Sequence, residues 1–322
     1  MKLSELQISL PQPDDRWGAS TAQCWANFAA AGEFESSGIQ IFMLTYLDTS
    51  GSGGLPTMER VVSEDNWRFI WSKTNTLGKQ VMLQHLTNVI RDNSQGQAGT
   101  PGFSYHDKQI ASNVLTDLLH LIEKDQGQGF IDDVKATTTH KMMVLAALMT
   151  HNVPIQSLLP TTLKYMYGKV RSSDWAEASD RWRTLVGQGR LGCFYAARIL
   201  YVVRSSRSSH FGIPVTLLRA VLVLWLYSAL AERYPDEALN ARSVPGVVLG
   251  PKSLSQMDDN SWIEVGWNRV KLPGIGNLLC MEGRTKLLDD AVALLKSLKA
   301  WGISNTYAQI LLRLRASEIS NS

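Results

Sequence analysis

The stretch from Val215 to Ala231 is the most apolar in the chain, and a single charge, Arg219, divides it. Beyond that arginine only the 12 residues Ala220 to Ala231 are free of charge. A helix needs roughly 20 apolar residues to cross a bilayer, so this segment is too short and reads as a buried core helix. Pro214 is well placed to open it, since the first turn of a helix tolerates a residue without an N–H. Leu191 to Val203 forms a second long apolar run, and Arg204-Ser205-Ser206-Arg207-Ser208-Ser209, followed by His210-Phe211-Gly212-Ile213, is a basic polar connector between the two.

Helical periodicity recurs on both sides of this pair. Ile110, Val114, Leu118, Leu121 and Ile122 form an amphipathic stripe opposed by Asn113, Asp117 and Glu123. Near the other end Leu287, Ala291, Leu294, Leu295 and Leu298 form one stripe, and Tyr307, Ile310, Leu311 and Leu314 another. Gly302 is expected to cap the first of these helices and Ser304 to N-cap the second. Further helices are expected from Ser20, over Asn66 to Arg91, over Lys141 to Met149 up to Pro154, and around Trp175 and Trp182, ending near Gly187. Asp48 to Gly54 and Asp92 to Gly102 are glycine-rich loops, and the entry through Leu10 closes on a turn at Pro11 and Pro13. No run of alternating strands and no repeat of 20 to 50 residues is visible, so the expectation is an all-α, multi-helix fold of packed amphipathic helices spanning 1–322 as a single domain.

A hydrophobic fraction of 44% and a charged fraction of 19% are those of a globular chain. With 32 Lys and Arg against 29 Asp and Glu, the whole surface is no electrostatic partner for nucleic acid or anionic lipid, and such binding would need a local patch. Cys24, Cys193 and Cys280 are too far apart for Cys-x-x-Cys, which favours a reduced compartment over zinc or disulfides. Glu5 interrupts the start where a secretory signal would be apolar, so neither export nor membrane attachment is expected.

Candidate chemistry is sparse. Gly187-Gln188-Gly189-Arg190-Leu191-Gly192 fits G-x-G-x-x-G by letter, but it follows a helical segment where a dinucleotide site needs a strand, and it reads as a loop between helices. The pairs Asp132-Asp133, Asp258-Asp259 and Asp289-Asp290 raise a diphosphate-binding cyclase, yet neither of the first two supplies an acid four residues on. They read as loop charges or as acids near helix starts. His85, His106, His120, His140, His151 and His210 contain no i, i+4 pair, and neither G-x-S-x-G nor G-x-x-x-x-G-K occurs. Arg198, Arg204, Arg207, Arg219 and His210 make a basic neighbourhood that reads as a solvated rim, because no aromatic residues interleave for base stacking. The ten tryptophans read as core. No catalytic, cofactor-binding or metal-binding residue is therefore assigned.

The order of elements resembles the regulatory region, often called the middle homology region, of fungal zinc-finger transcription factors. The match opens in Glu5-Leu6-Gln7-Ile8-Ser9-Leu10-Pro11, Asp15-Arg16-Trp17-Gly18-Ala19 and Ala22-Gln23-Cys24-Trp25. It returns in Leu224-Trp225-Leu226-Tyr227, Trp262-Ile263-Glu264-Val265-Gly266 and Leu272-Pro273-Gly274-Ile275-Gly276. Leu287-Leu288, Leu294-Leu295-Lys296-Ser297-Leu298, Trp301-Gly302-Ile303-Ser304 and Tyr307-Ala308 with Leu311 complete it. The resemblance runs from about Leu6 to Leu314, is strongest at 6–28 and 202–314, and is weak from Asp48 to Asp180.

What the resemblance implies is a nuclear transcriptional regulator that is not an enzyme and works without a cofactor. Its expected partners are other transcription-regulatory proteins, a DNA-binding partner among them, with homo-oligomer formation left open. The family reads DNA through a zinc module, and this chain lacks the cysteine and histidine spacing for one, so regulation is expected through protein contacts. A secondary-metabolism gene cluster is the kind of target the family suggests. The alternative is an enzyme on a reused helical scaffold, a cyclase or isomerase of a small apolar metabolite in a pocket lined by Trp, Met and Tyr.

Overall fold

The computed structural model describes residues 66–73, 76–91, 105–128, 134–185, 187–206, 210, 212–234, 247–250, 262–263, 270–298 and 302–320. These residues are overwhelmingly helical, and the fold is all-α with one small sheet. The helix expected from Ser20, the turn at Pro11 and Pro13 and both glycine-rich loops lie outside the described residues. The chain divides into two compact units, 1–124 and 125–322.

In the first unit α1 (Asn66–Lys73), α2 (Thr76–Arg91) and α3 (Tyr105–Gln128) follow one another, the last running past the unit's limit. Trp67 and Trp71 of α1 are buried, as are Met82, Leu83, Leu86, Val89 and Ile90 of α2. The stripe expected on α3 is buried at Val114, Leu118 and Ile122 and half-buried at Ile110 and Leu121. Arg68 of α1 pairs with Asp117 of α3 at 3.6 Å.

The second unit comprises α4 (Val134–Asn152), α5 (Ile155–Met166), α6 (Ser172–Thr184), α7 (Gly187–Ser205) and α8 (Ile213–Arg233). Strands β1 (Val247–Val248), β2 (Val270–Leu272) and β3 (Gly276–Asn277) come next, then α9 (Met281–Ser297) and α10 (Gly302–Ser320). Helix α8 is the centre: α4, α5, α6, α7, α9 and α10 all pack on it. Helix α8 is, by length and composition, long and apolar enough to cross a bilayer, contrary to expectation, but every residue from Ala220 to Leu230 is buried and other helices enclose it. Pro214 occupies the first turn of α8, as its missing N–H favours.

Pro154 ends α4, and α4 and α5 meet at an angle of 82°. Helix α5 keeps going through Pro160, where proline removes one donor, and burial of Ile155, Leu158 and Tyr165 compensates. The last two helices form a hairpin against α8, but their boundaries differ from expectation. Helix α9 ends at Ser297, and α10 already begins at Gly302, so Gly302 is not a cap of α9 and Ser304 sits inside α10.

Two elements are not foreseen, helix α5 and a small sheet. β1 pairs parallel with β2, and β2 pairs antiparallel with β3 through a turn closed by Ile275 N–H donating to Leu272 O at 3.0 Å. Pro273 and Gly274 fill the two central positions, and Gly274 has φ +79°, which a type II turn requires there. Val247, Val270 and Leu272 point inward while Val248 and Lys271 face out.

Candidate functional site

A polar junction of three helices lies in the interior of the second unit. Helix α8 presents Trp225, Ser228 and Glu232 at positions i, i+3 and i+7, which lie along one face. Helix α9 brings Arg284 from its first turn, and α10 brings Glu318 from its last. Arg284 is 3% exposed and Glu318 2%. The Glu318 carboxylate accepts from Trp225 Nε1 at 2.8 Å and from Arg284 Nε at 3.0 Å, one oxygen to each donor. Arg284 Nη2 reaches Glu232 Oε2 at 2.6 Å, and its Nη1 lies 3.4 Å from Ser228 Oγ. Ser228 Oγ in turn donates to Leu278 O at the end of the hairpin.

A buried carboxylate and guanidinium are tolerated only when each is paired and its remaining donors and acceptors are filled. This junction meets that condition, and it ties α8, α9, α10 and the segment after β3 to one set of atoms. Two carboxylates converge on one point here, and the point is the Arg284 guanidinium, with which both pair.

An aromatic wall flanks the junction. The Trp225 ring lies 5.2 Å from Tyr165 and 6.2 Å from Trp175, and Tyr165 meets Trp175 edge-on at 5.5 Å. Arg233 places its guanidinium 4.2 Å above Trp175 and 5.7 Å from Tyr165, a cation–π contact that closes this wall. On the other side of α8, the Tyr227 ring lies 5.8 Å from Trp182 and meets Trp262 edge-on at 6.3 Å. Trp175, Trp225 and Trp262 are buried, as expected of core tryptophans, while Trp182 is half-buried.

The glycine pattern Gly187, Gly189 and Gly192 lies in α7 and is not a loop. Its glycines let neighbours approach: a Cβ on Gly187 would lie 2.8 Å from Ile263 O, and one on Gly189 2.9 Å from the Trp182 ring. At Gly192 a Cβ would collide with Val153 where α4 ends. Close helix packing, with no strand before it, explains the motif.

Arg198 and Arg204 of the basic neighbourhood do not belong to a solvated rim either. Arg198 is 3% exposed, sits 5.5 Å over the Phe194 ring, and is lowered by burial to a pKa of about 10. Arg204 donates through Nε and Nη2 to Asp290 at 3.0 and 2.8 Å and through Nη1 to Pro273 O at 2.7 Å. It thereby fastens the Pro273-Gly274 turn to α9. His210 Nδ1 accepts from Gly212 N–H at 3.2 Å, and burial lowers its pKa. Arg207 lies outside the described residues.

Asp289 and Asp290 sit in the middle of α9 and not near its start. Asp289 pairs with Arg315 at 2.5 Å and Asp290 with Arg204, so both serve helix packing. Asp132-Asp133 and Asp258-Asp259 fall outside the described residues. Among the histidines whose surroundings are described, His120 is exposed, His140 buried, and His151 and His210 half-buried. Among the described residues no three of His, Cys, Asp and Glu gather where a metal ion could sit. The residues that sequence reasoning missed are Arg284 and Glu318, which lie 34 positions apart and carry no motif.

Comparison with protein-family models, with curated proteins and with solved structures finds no match to this chain.

Proposed function

We propose that this chain is a transcription-regulatory module that lacks a zinc finger of its own and acts in the nucleus through contacts with other transcription-regulatory proteins, a DNA-binding partner among them. The observation that carries this reading is where the resembling segments lie in space. Leu224-Trp225-Leu226-Tyr227 is the middle of the central helix, and Leu272 to Gly276 is the turn that Arg204 fastens. Leu287, Leu288, Leu295, Ala308 and Leu311 are the buried stripes of the hairpin packed on that helix. Segments scattered over nearly ninety positions thus pack into one framework, as a shared scaffold would, and this supports the reading. Control of a secondary-metabolism gene cluster is the setting the resemblance suggests.

Affinity purification of the tagged chain tests the reading directly. Recovery with a DNA-binding protein, nuclear localisation, and altered transcript levels on deletion are the expected results. Unchanged transcripts together with the loss of a metabolite would overturn it in favour of an enzyme.

A further inference from the structure

Helix α5 carries two apolar faces. Ile155, Leu158, Thr161, Thr162 and Tyr165 are buried on the side where α6, α8 and α10 pack against the helix. On the other side Leu159, Pro160, Leu163, Met166 and Tyr167 recur at helical spacing as a second stripe, interrupted by Gln156 alone. Leu163 is 48% exposed and Tyr167 59%, Pro160 is exposed as well, and Leu159 and Met166 are half-buried. Single exposed apolar residues are ordinary on a surface, but a continuous stripe of them along one helix is the form taken by a binding face. The helix runs about 18 Å, enough to seat about three turns of a partner helix.

Charge decides what fits there. From Val153 to Ser173 the chain holds Lys164, Lys169 and Arg171 and no acid. All three bases are exposed, Lys164 on the edge of the stripe and the other two just past the helix, where Gly168 with φ +63° turns the chain. The next acid along the chain, Asp174, is committed to Lys164 and to the Arg171 backbone N–H. On α6, Glu177 pairs with Arg181, which also reaches the Ser157 carbonyl of α5. A second copy of this face would add only positive charge, so a symmetric pairing of two chains meets repulsion. We propose that the outer face of α5 is a docking surface for an acidic amphipathic helix of a partner protein. Its apolar side chains lie along Pro160, Leu163 and Tyr167, and its flanking Asp or Glu residues face Lys169 and Arg171. The fit depends on shape and charge alone and does not rest on the transcriptional reading.

Fluorescence anisotropy with the full chain tests this, using a labelled synthetic helix with Leu on one stripe and Glu and Ala elsewhere, beside a copy with Lys in place of Glu. The Glu peptide is expected to bind about tenfold tighter than the Lys peptide, or more. Leu163→Asp with Tyr167→Asp changes only exposed side chains, so thermal unfolding is expected to be little altered. This double variant is expected to weaken the Glu peptide about tenfold or more. Lys169→Glu is expected to weaken it about threefold at low salt and less at high salt. No binding of the Glu peptide, equal binding of the Lys peptide, no loss in Lys169→Glu, or full binding by the double variant would overturn the proposal. Attachment of the unaltered chain, and not of the double variant, to vesicles of phosphatidylserine and phosphatidylcholine would overturn it in favour of a membrane. A dimer in sedimentation that the double variant abolishes would overturn it in favour of a second copy.

Discussion

Trp225 and Glu318 stand 93 positions apart in the chain, yet the indole N–H of one donates to the carboxylate of the other at 2.8 Å in the interior. Neither group can rotate to water for an alternative partner while the helices stay packed. Each therefore depends on the other, and the pair specifies one seating of α10 on α8.

Removing one member of such a network costs more than removing the network. Glu318→Gln removes the buried ionic partner of Arg284 Nε and is expected to lower stability by about 3 kcal/mol, the lower end for a broken buried pair because Glu232 still pairs with the guanidinium. Glu318→Leu combined with Arg284→Met is expected to cost less than either single change. Urea unfolding of the three variants, compared at constant slope, checks the ranking.

Gly283 and Gly192 are set by crowding. A Cβ on Gly283 in the first turn of α9 would penetrate the Asn277 carbonyl, which is backbone and cannot move aside. Gly192→Ala instead meets the Val153 side chain. Both are expected to destabilise, Gly192→Ala by about 1–3 kcal/mol and Gly283→Ala by more. Val153→Ala should restore part of the Gly192→Ala loss and none of the Gly283→Ala loss, as read from thermal unfolding.

Asp174 gives a pH dependence. Its carboxylate is held below the ordinary value by the Lys164 ammonium at 2.5 Å and by the Arg171 backbone N–H at 2.8 Å. A depressed carboxylate stabilises the fold fully above about pH 5 and loses that contribution as the pH falls through its native value. Asp174→Asn is expected to lower the melting temperature at pH 7 and to have little effect near pH 2. A difference that is constant across this range would contradict the assignment.

Arg204 needs its fork. Arg204→Lys keeps the charge but cannot serve Asp290 and the Pro273 carbonyl together, so it is expected to recover little of the roughly 1 kcal/mol lost in Arg204→Ala. The modest size reflects a partly exposed pair. Equal stability of Arg204→Lys and the unaltered chain would contradict this geometry.

Much of the second unit is legible in the sequence because apolar spacing is a local signal. The run from Ala220 to Ala231, Pro214 before it and the stripes of α9 and α10 all report burial without reference to anything distant. What is hidden is set by distant partners. Helix α5 carries Pro160, which argues against a helix unless its buried face is known. Gly187 and Gly189 discourage a helix start until Ile263 and Trp182 are seen against them. The strands are two or three residues long, too short for alternation to show, and β1 finds its partner 23 positions on. Arg284 and Glu318 look in sequence like any exposed charges, because pairing and not residue type is what permits their burial.

The central position of α8 has a consequence for synthesis. That helix leaves the ribosome before α9 and α10 exist, and at ordinary translation speed its uncovered side waits on the order of 5–20 s for them. A nascent chain in this state displays a greasy ribbon that holdase chaperones recognise, so yield should depend on their supply more steeply than the stability of the finished protein would suggest.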